Sequence, residues 1–383
     1  MRFRIYLFPF KYREQLLLYE ELKYALALTQ IQGVGSAIGK KLIKHFGSAK
    51  AVFEAEFKEF KKMAGHGKSV FQNLQSFNEF DAIDGELEWV DKNAINFSVF
   101  GSENYPKRLK HCADSPIVLF SKGNFNLNHP KSIAIVGTRK ATSYGKDFVN
   151  KIVENLVPHN PVIVSGLAYG IDIAAHKAAI DFNLPTVAVL AHGLDRVYPT
   201  HHRGTANKLQ ENGALVTEFP SRTNPDRENF PRRNRIIAGL CDAVILVESK
   251  KKGGAIITAD IAASYNRDVF AVPGRVGDHT SEGCNFLIKT NRAALFESVS
   301  DLEYLMGWEK ESKKLQPKQT QLFVDLNAEE EMIVNLLREK QKLSLDQISM
   351  ELNLPGSSMF THLLNLELNG LIKALPGKVY QLT

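Results

Sequence analysis

The chain has 383 residues, 44% of them hydrophobic and 23% charged, with a net charge of +6 at pH 7 and an isoelectric point near 9.0. That balance fits a globular protein of two or three domains, excludes a disordered or fibrous chain, and suits a polyanionic partner. Three widely spaced cysteines, Cys112, Cys241 and Cys284, follow no metal-ligand pattern and argue for a reduced, cytoplasmic setting. No apolar run reaches the ~18 residues of a membrane helix, so no membrane partner is expected.

The opening MRFRIYLFPFK is apolar but broken by Arg4, too short for a signal peptide, and reads as a leader ahead of the folded chain. Residues 12–95 read as helical. The turn Gln32-Gly33-Val34-Gly35 separates Leu26, Leu28 and Ile31 from Ile38, Leu42, Ile43 and Phe46, the layout of a helix-hairpin-helix. Small residues there let backbone N–H groups approach a phosphate, and Lys40, Lys41 and Lys44 follow on the second helix. A turn that merely packs explains the same residues.

Residues 96–307 alternate short apolar strands with amphipathic helices, which predicts an α/β fold with a Rossmann-like, doubly wound, mainly parallel sheet. The predicted strands are Ile133–Val136, Val162–Ser165, Thr186–Leu190, Ala214–Glu218, Ala243–Val247 and Val269–Val272, with helices such as Gly170–Phe182 and Gly253–Asn266 between them. Residues 308–325 are polar, contain Pro317 and read as a linker. Residues 326–383 then form three short apolar-periodic helices: Ile333, Leu336 and Leu337; Leu345, Ile348 and Leu352; Met359, Leu363, Leu366 and Leu368. A two-stranded wing around Pro376-Gly377 completes a winged helix. Its third helix, Ser357–Asn369, carries His362 and Glu367 but no lysine or arginine, which favours contact with a protein over reading of a major groove.

The chemistry gathers at predicted strand ends, where sheets of this class bind ligands. Ile135-Val-Gly-Thr-Arg139 lacks G-x-G-x-x-G; Gly137 turns the chain, Thr138 and Arg139 project, and Ser143 or Thr142 caps the next helix. Ser165 and Gly166 offer backbone donors after the second strand, and Asp172 and His176 stand at i, i+4, as an acid–base pair or as a structural brace. Residues 221–235 place Arg222, Arg227, Arg232, Arg233 and Arg235, with Asn234, around Phe230, just before an apolar-periodic helix beginning at Ile236. Guanidinium forks suit phosphates and one aromatic face suits a base, the pairing a single-stranded nucleic-acid groove requires. Lys250, Lys251 and Lys252 precede Gly253 and Gly254 at a further helix start, extending the basic rim.

These motifs, in this order, resemble the DprA/Smf family (DNA-processing protein A). The pattern comprises Tyr105-Pro106 with Leu109, Pro116 with Leu119 and Gly123, Ile135-Val-Gly-Thr-Arg139, Ser143-Tyr-Gly145, Ser165-Gly-Leu-Ala-Tyr-Gly-Ile-Asp172 with Ala175-His176, Tyr198-Pro199, Phe230-Pro-Arg-Arg-Asn-Arg-Ile-Ile-Ala-Gly-Leu240 and Val272-Pro-Gly274. The resemblance implies a non-enzymatic, cofactor-free protein that binds single-stranded DNA, loads RecA recombinase in natural transformation, and dimerises through its Rossmann-like domain. It assigns DNA contacts to Arg139, Arg227, Phe230 and Arg233-Asn234-Arg235. Two positions depart from the pattern: Tyr198-Pro-Thr-His-His202 where the family has Tyr-Pro-x-x-Asn, and Gly253-Gly-Ala255 where Ser-Gly-Ser is usual. A rival reading is a nucleoside-monophosphate phosphoribohydrolase of the lysine-decarboxylase-like group. Its Pro-Gly-Gly-x-Gly-Thr-x-x-Glu turn is broken here to Lys252-Gly-Gly-Ala-Ile-Ile-Thr-Ala-Asp260. A nicotinamide-dependent dehydrogenase fails on the missing glycine fingerprint.

Overall fold

The runs of Val, Ile and Ala in the middle of the chain are strands buried on both faces, as continuous apolar runs of β-branched residues require. The structure is a computed structural model and describes residues 10–60, 67–308, 326–352, 354–375 and 379–382. The predicted leader, the linker and the wing tip at Pro376-Gly377 lie mainly or wholly outside those residues.

Helices α1 (Phe10–Gln30), α2 (Ser36–Phe46), α3 (Ala49–Glu54), α4 (Phe57–Phe60), α5 (Gly67–Gln75) and α6 (Phe80–Lys92) come first. The sheet follows with β1 (Asn96–Val99), β2 (Val118–Lys122), β3 (Ser132–Val136), β4 (Val162–Ser165), β5 (Thr186–Val189), β6 (Gly213–Thr217), β7 (Ala243–Leu246), β8 (Asp268–Ala271) and β9 (Ala294–Leu295). Between these run α7 (Lys107–Lys110), α8 (Ser143–Leu156), α9 (Ile171–Asp181), α10 (Arg203–Leu209), α11 (Asn229–Leu240), α12 (Gly254–Ser264) and α13 (Glu282–Lys289), with α14 (Val299–Met306) after the last strand. The strand order is β1-β2-β6-β5-β4-β3-β7-β8-β9. The six predicted strands form its parallel centre; β1 and β2 pair antiparallel at one edge, and β9 extends the other.

Side chains alternate across the sheet. Ala134, Val136, Val164 and Leu246 face α11, α12 and the N-terminal helices. Ile133, Ile135, Ile163 and Ile245 face α8, α9 and α14. Leu26, Leu28 and Leu42 of the N-terminal helices share the first of these cores, so the described residues up to Trp308 form one compact unit.

That shared core decides between the two readings of the hairpin for Lys40. Gly39 on α2 sits against Ile117, and Lys40 is 5% exposed. Its ammonium donates to the Cys112 carbonyl and to Ser115 Oγ, and stands 5.0 Å from the Phe100 ring centroid. Lys40 therefore joins the hairpin to the sheet and does not face solvent; Lys41 and Lys44 remain exposed.

The second compact unit, formed by the described residues from Leu326 on, has its own core of Ile333, Leu337, Ile348, Met359, Leu363, Leu366, Ile372 and Tyr380. It contains α15 (Ala328–Lys340), β10 (Lys342–Ser344), α16 (Leu345–Leu352), α17 (Gly356–Leu368), β11 (Ile372–Leu375) and β12 (Val379–Leu382), with β12 central in an antiparallel sheet. Leu368, expected in this core, is 77% exposed because the last turn of α17 runs past it.

Candidate nucleic-acid interface

β3 and β7 are neighbours in the sheet but are followed by chains that leave toward opposite faces, which opens a crevice at their carboxyl ends. A cleft of about 310 Å³ lies there, lined by the loops after β3 and β7, the start of α12 and one side of α11.

The loop after β3 is held by close backbone approach. The Thr138 N–H donates to the Glu248 carbonyl at 2.7 Å, and a Cβ on Gly137 would press on Ile171 and that same carbonyl. Gly170 has φ +81°, and a side chain there would strike the Thr138 and Arg139 backbone, so only glycine fits. Glu248, 2% exposed, accepts from the Thr142 N–H at 2.9 Å and the Thr142 hydroxyl at 2.5 Å. Thr142 in turn caps α8 through Gly145 N–H, at 3.1 Å. Of the two candidate caps, Thr142 is the one; Ser143 is exposed on the first turn.

The arginine stretch sorts into different environments. α11 begins at Asn229, not at Ile236, so Phe230 and the arginines from 232 onward lie on a helix; Pro231 is tolerated in its first turn. The Arg139 guanidinium lies 4.8 Å from the Phe230 ring centroid, and Tyr198 meets Phe230 edge-on at 6.3 Å. Arg233 is 4% exposed and packs on the backbone of Gly166, where any Cβ would collide with its guanidinium. Asn234 also lines the cleft. Arg235 turns away to an ion pair with Glu218, with Ser36 of α2 at 3.5 Å. Arg232 lies over Phe219. Arg227 is exposed on the preceding loop, and neither it nor Arg235 is among the residues lining the cleft.

One further expectation changes, and one open alternative is settled. The Ser165 hydroxyl is fully buried and donates to the Ile135 carbonyl at 2.6 Å, and Gly166 seats Arg233, so this turn shapes the floor more than it offers donors. Asp172 and His176 do not form an acid–base pair. His176 bonds through Nδ1 to Thr186 Oγ1 at 2.7 Å, while the Thr186 hydroxyl donates to the Ile163 carbonyl. The ring proton therefore sits on Nδ1. Burial, reinforced by Arg233 and His202, holds the imidazole neutral with its pKa pushed down to about 3. Burial raises the Asp172 carboxyl, opposed by the Arg233 charge. Burial also lowers Arg233 to about 10, again against Asp172, which leaves the guanidinium charged at neutral pH.

Gly253 and Gly254 begin α12 without a side-chain cap, flanked in the cleft by Lys250 and Lys252. A second, smaller recess shares Arg139, Phe230 and Arg233 with the first and adds Tyr169, His192 and Tyr198. Tyr169 lay within the Ser165–Asp172 pattern but was not singled out, and His192 carried no sequence signal beyond its place after a strand end. Among the described residues there is no cluster of ligands for a metal ion and no helix long and apolar enough to cross a membrane.

A parallel sheet whose switch-point crevice combines guanidinium groups, lysines, an uncapped helix start and a stacked aromatic defines a Rossmann-like module fitted to phosphate-bearing ligands. The family model for DNA recombination-mediator protein A matches residues 96–306, and that for the DprA winged helix domain matches residues 317–378. The chain belongs to the DNA recombination-mediator protein A (DprA/Smf) family. It is 35% identical to Protein Smf of Escherichia coli over 303 residues, 77% of this chain and 80% of that protein. It is 40% identical to DNA processing protein DprA of Streptococcus pneumoniae over 223 residues, 58% of this chain and 78% of that one. The X-ray structure of the Streptococcus pneumoniae protein superposes with a TM-score of 0.63 at 31% identity, covering 76% of this chain and 98% of that one. A Helicobacter pylori DNA processing protein A structure, described for its single-stranded-DNA binding mode, superposes with a TM-score of 0.51 at 29% identity, covering 57% and 99%.

Proposed function

We propose that this protein binds single-stranded DNA in the crevice beyond β3 and β7 and serves as a recombination mediator that loads RecA recombinase in natural transformation. The observation that carries this reading is the Arg139–Phe230 pair beside the buried Arg233: a cation for the backbone, a ring for a base, and a second cation beneath. Gly137, Thr138, Arg139, Phe230, Arg233, Asn234, Gly253 and Gly254 make the contact surface, with Lys250 and Lys252 at its rim. The Helicobacter pylori relative, described for single-stranded-DNA binding, supports the ligand. RecA loading and a homodimer through the Rossmann-like domain follow from family membership. The winged helix, whose α17 has no lysine or arginine, serves as a protein contact.

The protein acts by binding, without catalysis. Asp260, the acid that the phosphoribohydrolase reading would need in the cleft, is instead ion-paired with Arg292 and does not line it. Gel shifts with single-stranded and blunt duplex oligonucleotides across a salt series test the proposal. Preference for the single strand is expected, with log affinity falling by about 0.7 per log salt for each phosphate neutralised. Equal affinity for duplex would overturn it.

A further inference from the structure

The floor of the crevice holds a feature that a groove for continuous DNA does not require. Arg233 is 4% exposed, faces both recesses, and its Nε and Nη1 meet no hydrogen-bond partner among the described residues. Buried donors of a charged group are costly to leave unmet. Although Nη1 lies against Gly166, the guanidinium lines the cleft with only the Asp172 carboxylate to offset its charge there, which favours an anion. Across the same cleft stands the start of α12, an 11-residue helix. Its N-cap, Gly253, contributes no side-chain hydrogen bond, and a Cβ added at Gly254 would meet only open space. The Gly253 and Ile256 N–H groups are bonded to the Lys250 and Gly253 carbonyls, which leaves the Gly254 and Ala255 N–H groups, at the positive end of the dipole, on the cleft.

Charge decides between kinds of phosphate. Arg139, Arg233, Lys250 and Lys252 surround this one cleft, against the single carboxylate of Asp172. An internal phosphodiester brings one negative charge and two free oxygens, and its chain must both enter and leave. A phosphate monoester carries close to two charges at neutral pH and three acceptor oxygens, as a phosphorylated side chain does, and it can enter end-on to reach a buried guanidinium.

We infer that the cleft between Arg233 and the start of α12 is a phosphate-monoester site, which takes the terminal phosphate of a DNA strand or of a free nucleoside monophosphate. The terminal base stacks on Phe230, beside Arg139. The inference rests on the single-strand reading above and names the part of the strand that the cleft holds.

Fluorescence anisotropy on the full chain tests it, with labelled oligothymidylate bearing a 5′-phosphate, a 3′-phosphate or hydroxyl ends, and with thymidine monophosphate, thymidine and circular single strands as competitors. One phosphorylated end is expected to bind about fivefold tighter or more than the hydroxyl-ended strand, the effect of one extra close charge contact. Thymidine monophosphate should displace it where thymidine does not. That gain should vanish in the Lys250→Ala/Lys252→Ala variant, whose exposed side chains can be removed without disturbing the core, and in Arg233→Gln. Displacement by the free nucleotide points to a small-molecule source; a gain confined to oligonucleotides points to strand ends; both support the site. Phosphorylated, hydroxyl-ended and circular strands binding alike would overturn the inference and leave the single-strand reading standing. Failure of every strand to bind while thymidine monophosphate does would overturn the single-strand reading and leave the monoester site standing. Failure of all ligands would overturn both.

Discussion

Arg139 stacks its guanidinium 4.8 Å from the centroid of Phe230, so the two residues read from sequence as a phosphate contact and a base platform form one unit. A cation over an aromatic face contributes roughly 0.5–1 kcal/mol when exposed and about 2 or more when desolvated. Removing either residue therefore perturbs the other. In a double-mutant cycle, Arg139→Ala should flatten the salt slope by about 0.7 and Phe230→Ala should cost about 1–3 kcal/mol of single-strand affinity. The double variant should lose less than the sum of the two, by about 0.5 kcal/mol or more. Strict additivity in anisotropy titrations would show that the two act separately.

Gly166 makes the second prediction. Its Cα occupies the space against which the Arg233 guanidinium packs. Gly166→Ala has no unfavourable φ to overcome, so its effect should come through the displaced arginine. Single-strand affinity should fall by about tenfold or more, about 1.4 kcal/mol, with a lowered melting temperature. Adding Arg233→Ala should lower single-strand affinity little further, because the displaced guanidinium no longer contributes. Unchanged affinity in the single variant would mean that Arg233 is not part of the DNA surface.

Lys40 separates packing from binding within the hairpin. Lys40→Met strips the Cys112 carbonyl and the Ser115 hydroxyl of their buried donor, which should cost about 1–3 kcal/mol of stability for each group left unmet. Thermal melts should show that loss while single-strand affinity, measured below the melting temperature, stays within about twofold, the scatter expected for a residue outside the interface. Normal stability with weakened binding would place Lys40 on DNA.

The parallel centre of the sheet was legible because each of its strands is an apolar, β-branched run buried on both faces, such as Ile133–Val136 or Ala243–Leu246. β1, β2 and β9 were not: they are short edge or near-edge strands, and Asn96–Val99 is defined by pairing with Val118–Ser121 on a distant segment. The glycines and Arg139 of the crevice were legible as motifs. The different fates of the arginines were not, since five of them within fifteen residues look alike until the topology sets Gly166 opposite Arg233 and Glu218 opposite Arg235. The packing role of Lys40 stayed open in the sequence for the same reason, its acceptors lying on a segment 72 and 75 residues downstream.

His176 predicts a pH dependence of stability. Its pKa falls from 6.5 to about 3 on folding, chiefly through burial. Between those values the unfolded chain binds a proton that the folded chain refuses, so this residue's contribution is full above about pH 6.5 and is lost as pH falls toward 3. The slope is about 1.4 kcal/mol per pH unit for one proton. Chemical denaturation at pH 7.5, 6 and 5 should show the wild type losing stability relative to His176→Gln, which has no group titrating there. Parallel curves would contradict a buried neutral imidazole.

The central claim is that single-stranded DNA lies on Phe230 at the carboxyl ends of β3 and β7. Photocrosslinking with oligonucleotides carrying 5-iododeoxyuridine, followed by tryptic mapping, tests it most directly. The adduct is predicted on the peptide Glu228–Arg232, which contains Phe230, and should disappear in Phe230→Ala. Adducts confined to the Gly33–Gly35 hairpin or to the winged helix would contradict the account.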